Sequence, residues 1–338
     1  MNIYGFSLKK LKEYFENIGE NPAKAGIIFD GIYKKNITDF RGFGFAERIT
    51  ARLCEDFEFS LPRVVEKRES ETAAKLLLEL ADGEFVETVL MRQRFGNCVC
   101  VSTQVGCNMG CSFCQSGLLK KRRNLVVEEI AGQLLALSKE FSCKIDGVSV
   151  MGIGEPFDNF DTVADFCELI TEDKGMAVGR RRVTVSTCGI APKIRDWAEL
   201  PRPCSLAISL HAPNDELRNQ LMPINKKYPI AEVLNAAEYF SQKTSHRVTL
   251  EYVMLAGVND ASEHAEQLAA LIGGRDFYVN LIPYNSTDSG FCKSSPDKLA
   301  EFCAILKANG VVATKRREFG ADLNAACGQL RADYVTGL

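Results

Sequence analysis

The sequence predicts an α/β protein whose main domain is a parallel sheet forming a partial barrel, preceded by a small helical module. Three observations carry this. Apolar β-type runs recur at "CVCVST" (98–103), "GVSVMG" (147–152), "RVTVST" (182–187), "SLAISL" (205–210), "VTLEYVML" (248–255), "YVNLIP" (278–283) and "VVATKR" (311–316). Amphipathic helical stretches separate most of them, and such β/α alternation implies parallel strands joined by crossover helices. Seven strands at uneven spacing suit a partial barrel better than a complete eightfold one.

Residues 1–72 read as helical. Ser7 can cap "LKKLKEYFENIGE", whose apolar positions recur at helical spacing, and Gly19 can close it. Asn21-Pro22 opens a second helix, "AKAGIIFDGIYKK", and a third runs near "FAERITARLCEDF". The period changes at residue 73. "AKLLLELADGEFVETVLM" reads as two strands around an Asp82-Gly83 turn, a β extension over 73–97. Residues 98–338 form the barrel domain. In such folds the chemistry sits at the carboxyl ends of the strands. Those ends carry "GCNMGCSFCQSG", "GIGEP", "STCG", "SLHAPND", "PYNST" and, beyond the last strand, "FGADLNAACGQL".

The chain has 338 residues, 46% of them hydrophobic, enough for a large core. Its beginning lacks the apolar core of a signal peptide, and no apolar run is long enough to span a bilayer. Thirteen cysteines, an odd number in a large chain, suit a reducing cytoplasm rather than a disulfide framework. Cys54, Cys143, Cys167, Cys204, Cys292 and Cys303 are expected to be small hydrophobes in the interior. The net charge of −3 gives no global nucleic-acid signature, although basic runs stand at 120–123, 180–182, 226–227 and 315–317.

Cys107, Cys111 and Cys114 fall within eight positions. Iron–sulfur clusters usually take four cysteines, so three in one loop leave an iron open for a substrate or cofactor. Structural zinc is the alternative, with Cys98, Cys100 or His211 as fourth ligand; a third is three unrelated core thiols. The glycines of "GIGEP" let backbone approach a ligand, and Glu155 can accept from an ammonium group, although an ordinary strand-end turn has the same appearance. His211 at a strand end is equally readable as a hydrogen-bonded structural histidine. Cys327, late in the chain but on the same predicted rim, is readable as buried and inert or as a reactive thiol, with Cys100 a possible partner.

Cys-x-x-x-Cys-x-x-Cys after a first strand resembles the radical S-adenosylmethionine (SAM) signature, and "GIGEP" resembles that superfamily's glycine-rich loop. "CVSTQVGC", "RRVTVSTCG", "ISLHAPND..R..LMPINKKYPI", "VNLIPYN" and "AACGQLR" resemble the bacterial RNA methyltransferases that modify carbon 2 of adenine. The likeness covers nearly the whole chain. It implies a radical SAM partial (β/α)6 barrel. It implies two substrates, one adenine in the peptidyl transferase centre of 23S rRNA and the adenine 3′ of the anticodon in certain tRNAs.

By this resemblance Cys107, Cys111 and Cys114 hold a [4Fe-4S] cluster with SAM on the open iron. Gly154, Glu155, Ser186, Ser209, Leu210, His211 and Asn285 match SAM contacts. Cys327 matches the cysteine that a first SAM methylates. A second SAM yields the radical that activates this methyl group, which adds to the adenine in a covalent protein–RNA intermediate. Cys100 matches the cysteine that resolves the adduct through a transient disulfide with Cys327, and Glu87 matches a general base. Carbon 2 of adenine is not nucleophilic, so polar transfer from SAM would fail and radical chemistry is the cofactor's contribution. The resemblance further implies an electron donor such as flavodoxin or ferredoxin, and we expect a monomer. The basic runs at 120–123 and 315–317 are expected to flank the rim where RNA phosphates pass.

Three features depart from the family pattern: "CQSG" after the third cysteine, Asn324 in "DLNAACGQL", and the extra thiols Cys98 and Cys188. A sister family modifies carbon 8 of the same rRNA adenine, conferring antibiotic resistance, and shares the cluster and both reactive thiols. "NLIPYN" and "KKYP" favour carbon 2.

Overall fold

The structure, a computed structural model, describes residues 1–118, 120–285 and 290–317. Helix α1 (Leu8–Asn17) begins where the Ser7 hydroxyl accepts the Lys10 N–H at 3.2 Å, and Gly19 turns the chain out of it with φ +72°. Helices α2 (Lys24–Tyr33) and α3 (Glu47–Asp56) follow. Strands β1 (Arg63–Glu69), β2 (Ala73–Glu79) and β3 (Phe85–Gln93) form an antiparallel meander. The β2–β3 turn is the expected one: Gly83 sits at φ +81° and the Asp82 carboxylate accepts the Glu84 N–H.

Strand β1 lies inside the stretch read as helical. Its sequence, "RVVEKRE", is mostly charged and occupies the sheet edge. Charge on an edge strand discourages pairing with foreign strands. The same charge removes the alternation that marks a strand in sequence.

The parallel part then runs β4 (Gly96–Val101), α4 (Val127–Glu140), β7 (Gly147–Val150), α5 (Phe160–Thr171), β8 (Val183–Thr187), α6 (Ala191–Glu199), β9 (Ser205–Ser209), α7 (Asp215–Leu221), α8 (Ile230–Thr244), β10 (Val248–Met254), α9 (Ser262–Ile272), β11 (Phe277–Pro283), α10 (Pro296–Ala308) and β12 (Val312–Lys315). A two-stranded ribbon, β5 (Gln104–Val105) with β6 (Arg123–Asn124), brackets the cysteine loop. The sheet order is β1-β2-β3-β4-β7-β8-β9-β10-β11-β12, and every pairing from β4 onward is parallel. That is six β/α units and a seventh strand.

Met91, Ser149, Thr184, Thr249, Asn280 and Thr314, drawn from six strands along the sheet, line one cavity of about 550 Å3. The sheet therefore curls around a lumen, with β1 and β12 at its open edges. The outer face carries the helices. Leu11, Phe15, Phe29 and Leu53 of the N-terminal helices join Ile130, Phe166 and Trp197 of the barrel helices in one continuous apolar cluster. Burying each of these large side chains contributes about 1.5–3 kcal/mol, so the module is held to the barrel by shared core. No described helix is long and apolar enough to cross a membrane.

Candidate active site

The cysteine loop leaves the ribbon through Gly106 (φ +79°) and turns again at Gly110 (φ +66°). The Ser112 N–H donates to the Leu221 carbonyl at 2.9 Å, pinning the loop to the end of α7. Met109, Cys111 and Phe113 pack on Cys188, Ala212, Val253 and Tyr284, which follow or end β8, β9, β10 and β11. The Tyr284 hydroxyl donates to the Phe113 carbonyl at 3.3 Å. The loop thus lies across the carboxyl-end rim, where the sequence places the chemistry.

Burial pushes the Cys107 thiol up to about 11 and Cys111 higher still, and Cys114 raises both further. The three thiols therefore sit within electrostatic reach of one another. No three His, Cys, Asp or Glu side chains among the described residues are already closed into a metal-binding group. Cys98 stands on the lumen wall near Arg316 rather than in the loop. The donor set on this loop is sulfur alone, which suits iron–sulfur ligation, and metal binding would displace the protons that burial holds on.

The glycine loop after β7 is built for close approach. A Cβ at Gly152 would meet the Val101 carbonyl carbon at 2.7 Å. At Gly154 (φ +108°) it would lie 2.6 Å from the Gln104 Cβ. The Gln104 side chain accepts the Glu155 N–H at 2.9 Å. The buried Glu155 carboxylate accepts the Phe157 N–H at 3.1 Å and the Cys188 N–H at 2.8 Å. Burial raises its pKa, and these hydrogen bonds oppose that rise. Each of its oxygens is engaged with backbone, so Glu155 visibly braces the "STCG" turn.

Ser186 and Ser209 face each other on adjacent strands, with hydroxyl oxygens 3.4 Å apart. The Leu210 and His211 N–H groups both donate to the Glu251 carbonyl. His211 holds φ +58°, and its Nδ1 accepts the Val253 N–H at 3.0 Å, which leaves the proton on Nε2. Burial, then the charge of Arg218, lowers its pKa to about 3, so the ring is neutral. Its edge meets Phe113 at 4.9 Å between centroids. Asn285 is exposed, next to the buried Tyr284.

Strand register places Lys75, Val89, Cys100, Ser149 and Thr184 across one sheet face, and Glu87 shares it two residues from Val89. Ser149 and Thr184 line the lumen, so Cys100 and Glu87 face it too. Glu87 pairs with Lys75 at 2.8 Å, both side chains buried. Cys327 lies outside the described residues, so its pairing with Cys100 does too. No disulfide joins any of the twelve described cysteines, and Cys54 and Cys292 are exposed rather than interior.

Two residues without an assigned role prove central. Lys75 is a lone cation in an apolar strand, and that oddity is its sequence signal. Arg218 is completely buried and donates to the carbonyls of Cys188, Ser209 and Leu210. It stands in the motif "ISLHAPND..R", but nothing there distinguishes a buried arginine from a solvated one. In the basic run at 120–123, Lys121 pairs with Asp158, Arg122 with Glu84, and Arg123 with Asp82 and Glu129, and the Arg122 side chain stays mostly exposed. The run at 180–182 lies at the start of β8, on the opposite rim.

The Radical SAM superfamily profile matches residues 101–270. The chain is 44% identical over 338 residues to a probable dual-specificity RNA methyltransferase RlmN from Clostridium perfringens, covering 99% of this chain and 97% of that protein. It is 45% identical over 337 residues to a protein of the same name from Spiroplasma citri, covering 98% and 97%. Among solved structures, a radical SAM methyltransferase from Sphaerobacter thermophilus superposes with a TM-score of 0.91 at 38% identity, covering 97% of this chain and 98% of that one.

Proposed function

The chain belongs to the radical SAM superfamily and, within it, to the RlmN family of RNA methyltransferases, and from that premise we propose that it methylates carbon 2 of adenine in 23S rRNA and in tRNA. The rRNA target is the adenine of the peptidyl transferase centre, and the tRNA target is the adenine 3′ of the anticodon. The observation that carries this reading is the packing of the Cys107–Cys114 loop against the ends of β8 to β11. In this reading the three thiolates hold a [4Fe-4S] cluster, and a flavodoxin- or ferredoxin-type donor reduces it. The cluster with bound SAM would supply the radical that activates a methyl group, two SAM being used per turnover.

The protein's own part is position and exclusion of water. Gly154 lets backbone approach SAM. Ser186, Ser209 and the Nε2–H of His211 supply neutral hydrogen-bond donors at one rim, with Leu210 and Asn285 as further contacts. Cys327 carries the methyl group, and Cys100 on the lumen wall releases the product. Lys75 pairs with the Glu87 carboxylate and holds it on the lumen face, where it is the candidate proton acceptor. The cytoplasm is the compartment where these RNAs and free thiols coexist.

Anaerobically purified protein should contain iron and sulfide and form 5′-deoxyadenosine from SAM under reduction. Expression in a host lacking its own enzyme, followed by mass mapping, should place a methyl on carbon 2 of both adenines. A methyl on carbon 8, or iron-free protein with zinc, would reject the reading.

A further inference from the structure

We propose that Arg218 is a positioning residue of the cofactor site: a fixed positive charge, hydrogen-bonded to no described carboxylate, behind the ends of β8 and β9 that favours an electron-rich cluster on Cys107, Cys111 and Cys114. The proposal rests on the iron–sulfur reading above. Arg218 is fully buried. Its Nε–H donates to the Leu210 carbonyl at 3.1 Å. One amino group donates to Asn225 Oδ1 at 2.8 Å and the Tyr228 carbonyl at 3.5 Å. The other donates to the carbonyls of Cys188 at 2.7 Å and Ser209 at 3.1 Å. All five N–H groups are engaged, and every acceptor is neutral.

A buried guanidinium normally meets a carboxylate, because desolvating a lone charge is costly. Here no described carboxylate pairs with it. Asp215 instead accepts from the Asn225 side chain and the Ile230 N–H. A neutral amide could bridge some of these carbonyls without burying a charge. What the charge adds is a positive potential, and that potential reaches Cys111, Cys188 and His211. Three cluster thiolates would add their negative charge to that of Glu155, which accepts the Cys188 N–H from the other side. Net charge and hydrogen bonding around a cluster set its reduction potential, and a nearby cation stabilises the reduced state.

The test is an EPR-monitored redox titration of reconstituted wild type, R218K, R218Q and R218M, with iron content, SAM affinity and melting temperature measured in parallel. Wild-type protein without iron and sulfide would fail the underlying reading and not this one. The neutral variants should show a lower midpoint potential, while R218K keeps the wild-type value. SAM affinity should fall in all three, about tenfold or more in the neutral pair, since loss of an ionic hydrogen bond is of that order. A neutral variant with full iron and an unchanged midpoint overturns the proposal, whatever its melting temperature. If the neutral variants do not load, R218K decides alone. A wild-type midpoint wherever that lysine is charged supports the proposal. A midpoint lowered equally at every pH assigns the effect to lost hydrogen bonds and overturns it.

Discussion

Glu155 and Arg218 hold the same residue from opposite sides: Glu155 accepts the Cys188 N–H at 2.8 Å, and Arg218 donates to the Cys188 carbonyl at 2.7 Å. One charge comes from the loop after β7 and the other from α7. The turn after β8 is therefore fixed by groups that precede and follow it in the chain. Gly189 completes the fit, because at φ +104° a Cβ there would crowd Val233 and the Arg218 guanidinium. Ser186, two residues before Cys188, inherits its position from this brace. Sites held by such supporting contacts keep their geometry before ligand arrives.

Removing the Glu155 carboxylate should loosen the brace. E155A leaves two buried N–H groups without acceptors, at a cost of about 1–3 kcal/mol each. We expect lower stability in urea and weaker SAM binding by calorimetry, with the thiols still able to take up iron. E155A protein with wild-type SAM affinity would show that the turn does not position the cofactor.

Lys75 and Glu87 form a buried pair whose structural and chemical contributions can be separated. K75M strands the Glu87 charge and should destabilise the protein by about 3–5 kcal/mol. K75M/E87L restores an apolar contact, so its stability should return to near the wild-type value. If Glu87 accepts a proton in the reaction, the double variant should stay inactive on RNA while cleaving SAM normally. Recovery of methylation along with stability would reduce the pair to a scaffold element.

The strands of the barrel were legible because each is an apolar run bounded by turns, and α1 because Ser7 and Gly19 mark its ends. Strand β1 was not, since an edge strand gains from the charges that disguise it. The cysteine loop announced itself by spacing, a local property. Arg218 and the run at 120–123 were opaque for one reason: burial and ion pairing are settled by residues far away in sequence. Asp82, Glu84 and Asp158 draw the cations of that run into ion pairs at the surface. Cys188 and Ser209 turn an ordinary arginine into a buried brace.

His211 gives the protein an acid sensitivity of predictable sign. Its folded pKa is lowered from 6.5 to about 3, so the unfolded chain takes up the proton first as pH falls. The stability due to the neutral ring is fully present above 6.5 and is lost as pH drops towards 3, at about 1.4 kcal/mol per unit. H211N suits the left-handed backbone and can still accept the Val253 N–H, but it does not titrate. Between pH 7 and 5, metal-free wild type should lose about 2 kcal/mol more than H211N in urea unfolding. Equal losses in the two proteins would place the acid sensitivity elsewhere.

Cys100 and Cys327 should fail in different ways. Cys100 is buried on the lumen face of β4, paired in register with Val89 and Ser149, and its carbonyl accepts the Thr88 hydroxyl. Replacing it with alanine removes one sulfur from a site held by backbone pairing, so C100A should fold, at a cost of about 1 kcal/mol. If Cys327 carries the methyl group, C327A has no route to a protein–RNA adduct and traps nothing. Cys100 acts only after the new carbon–carbon bond exists, so C100A should stall with RNA attached through Cys327. A denaturing gel with labelled RNA reads this directly. A shifted protein–RNA band should appear for C100A and vanish in C100A/C327A. If Cys100 were only a packed strand residue, C100A would melt slightly earlier and show no band. Soluble, iron-loaded C100A without a band would therefore refute the division of labour between the two thiols.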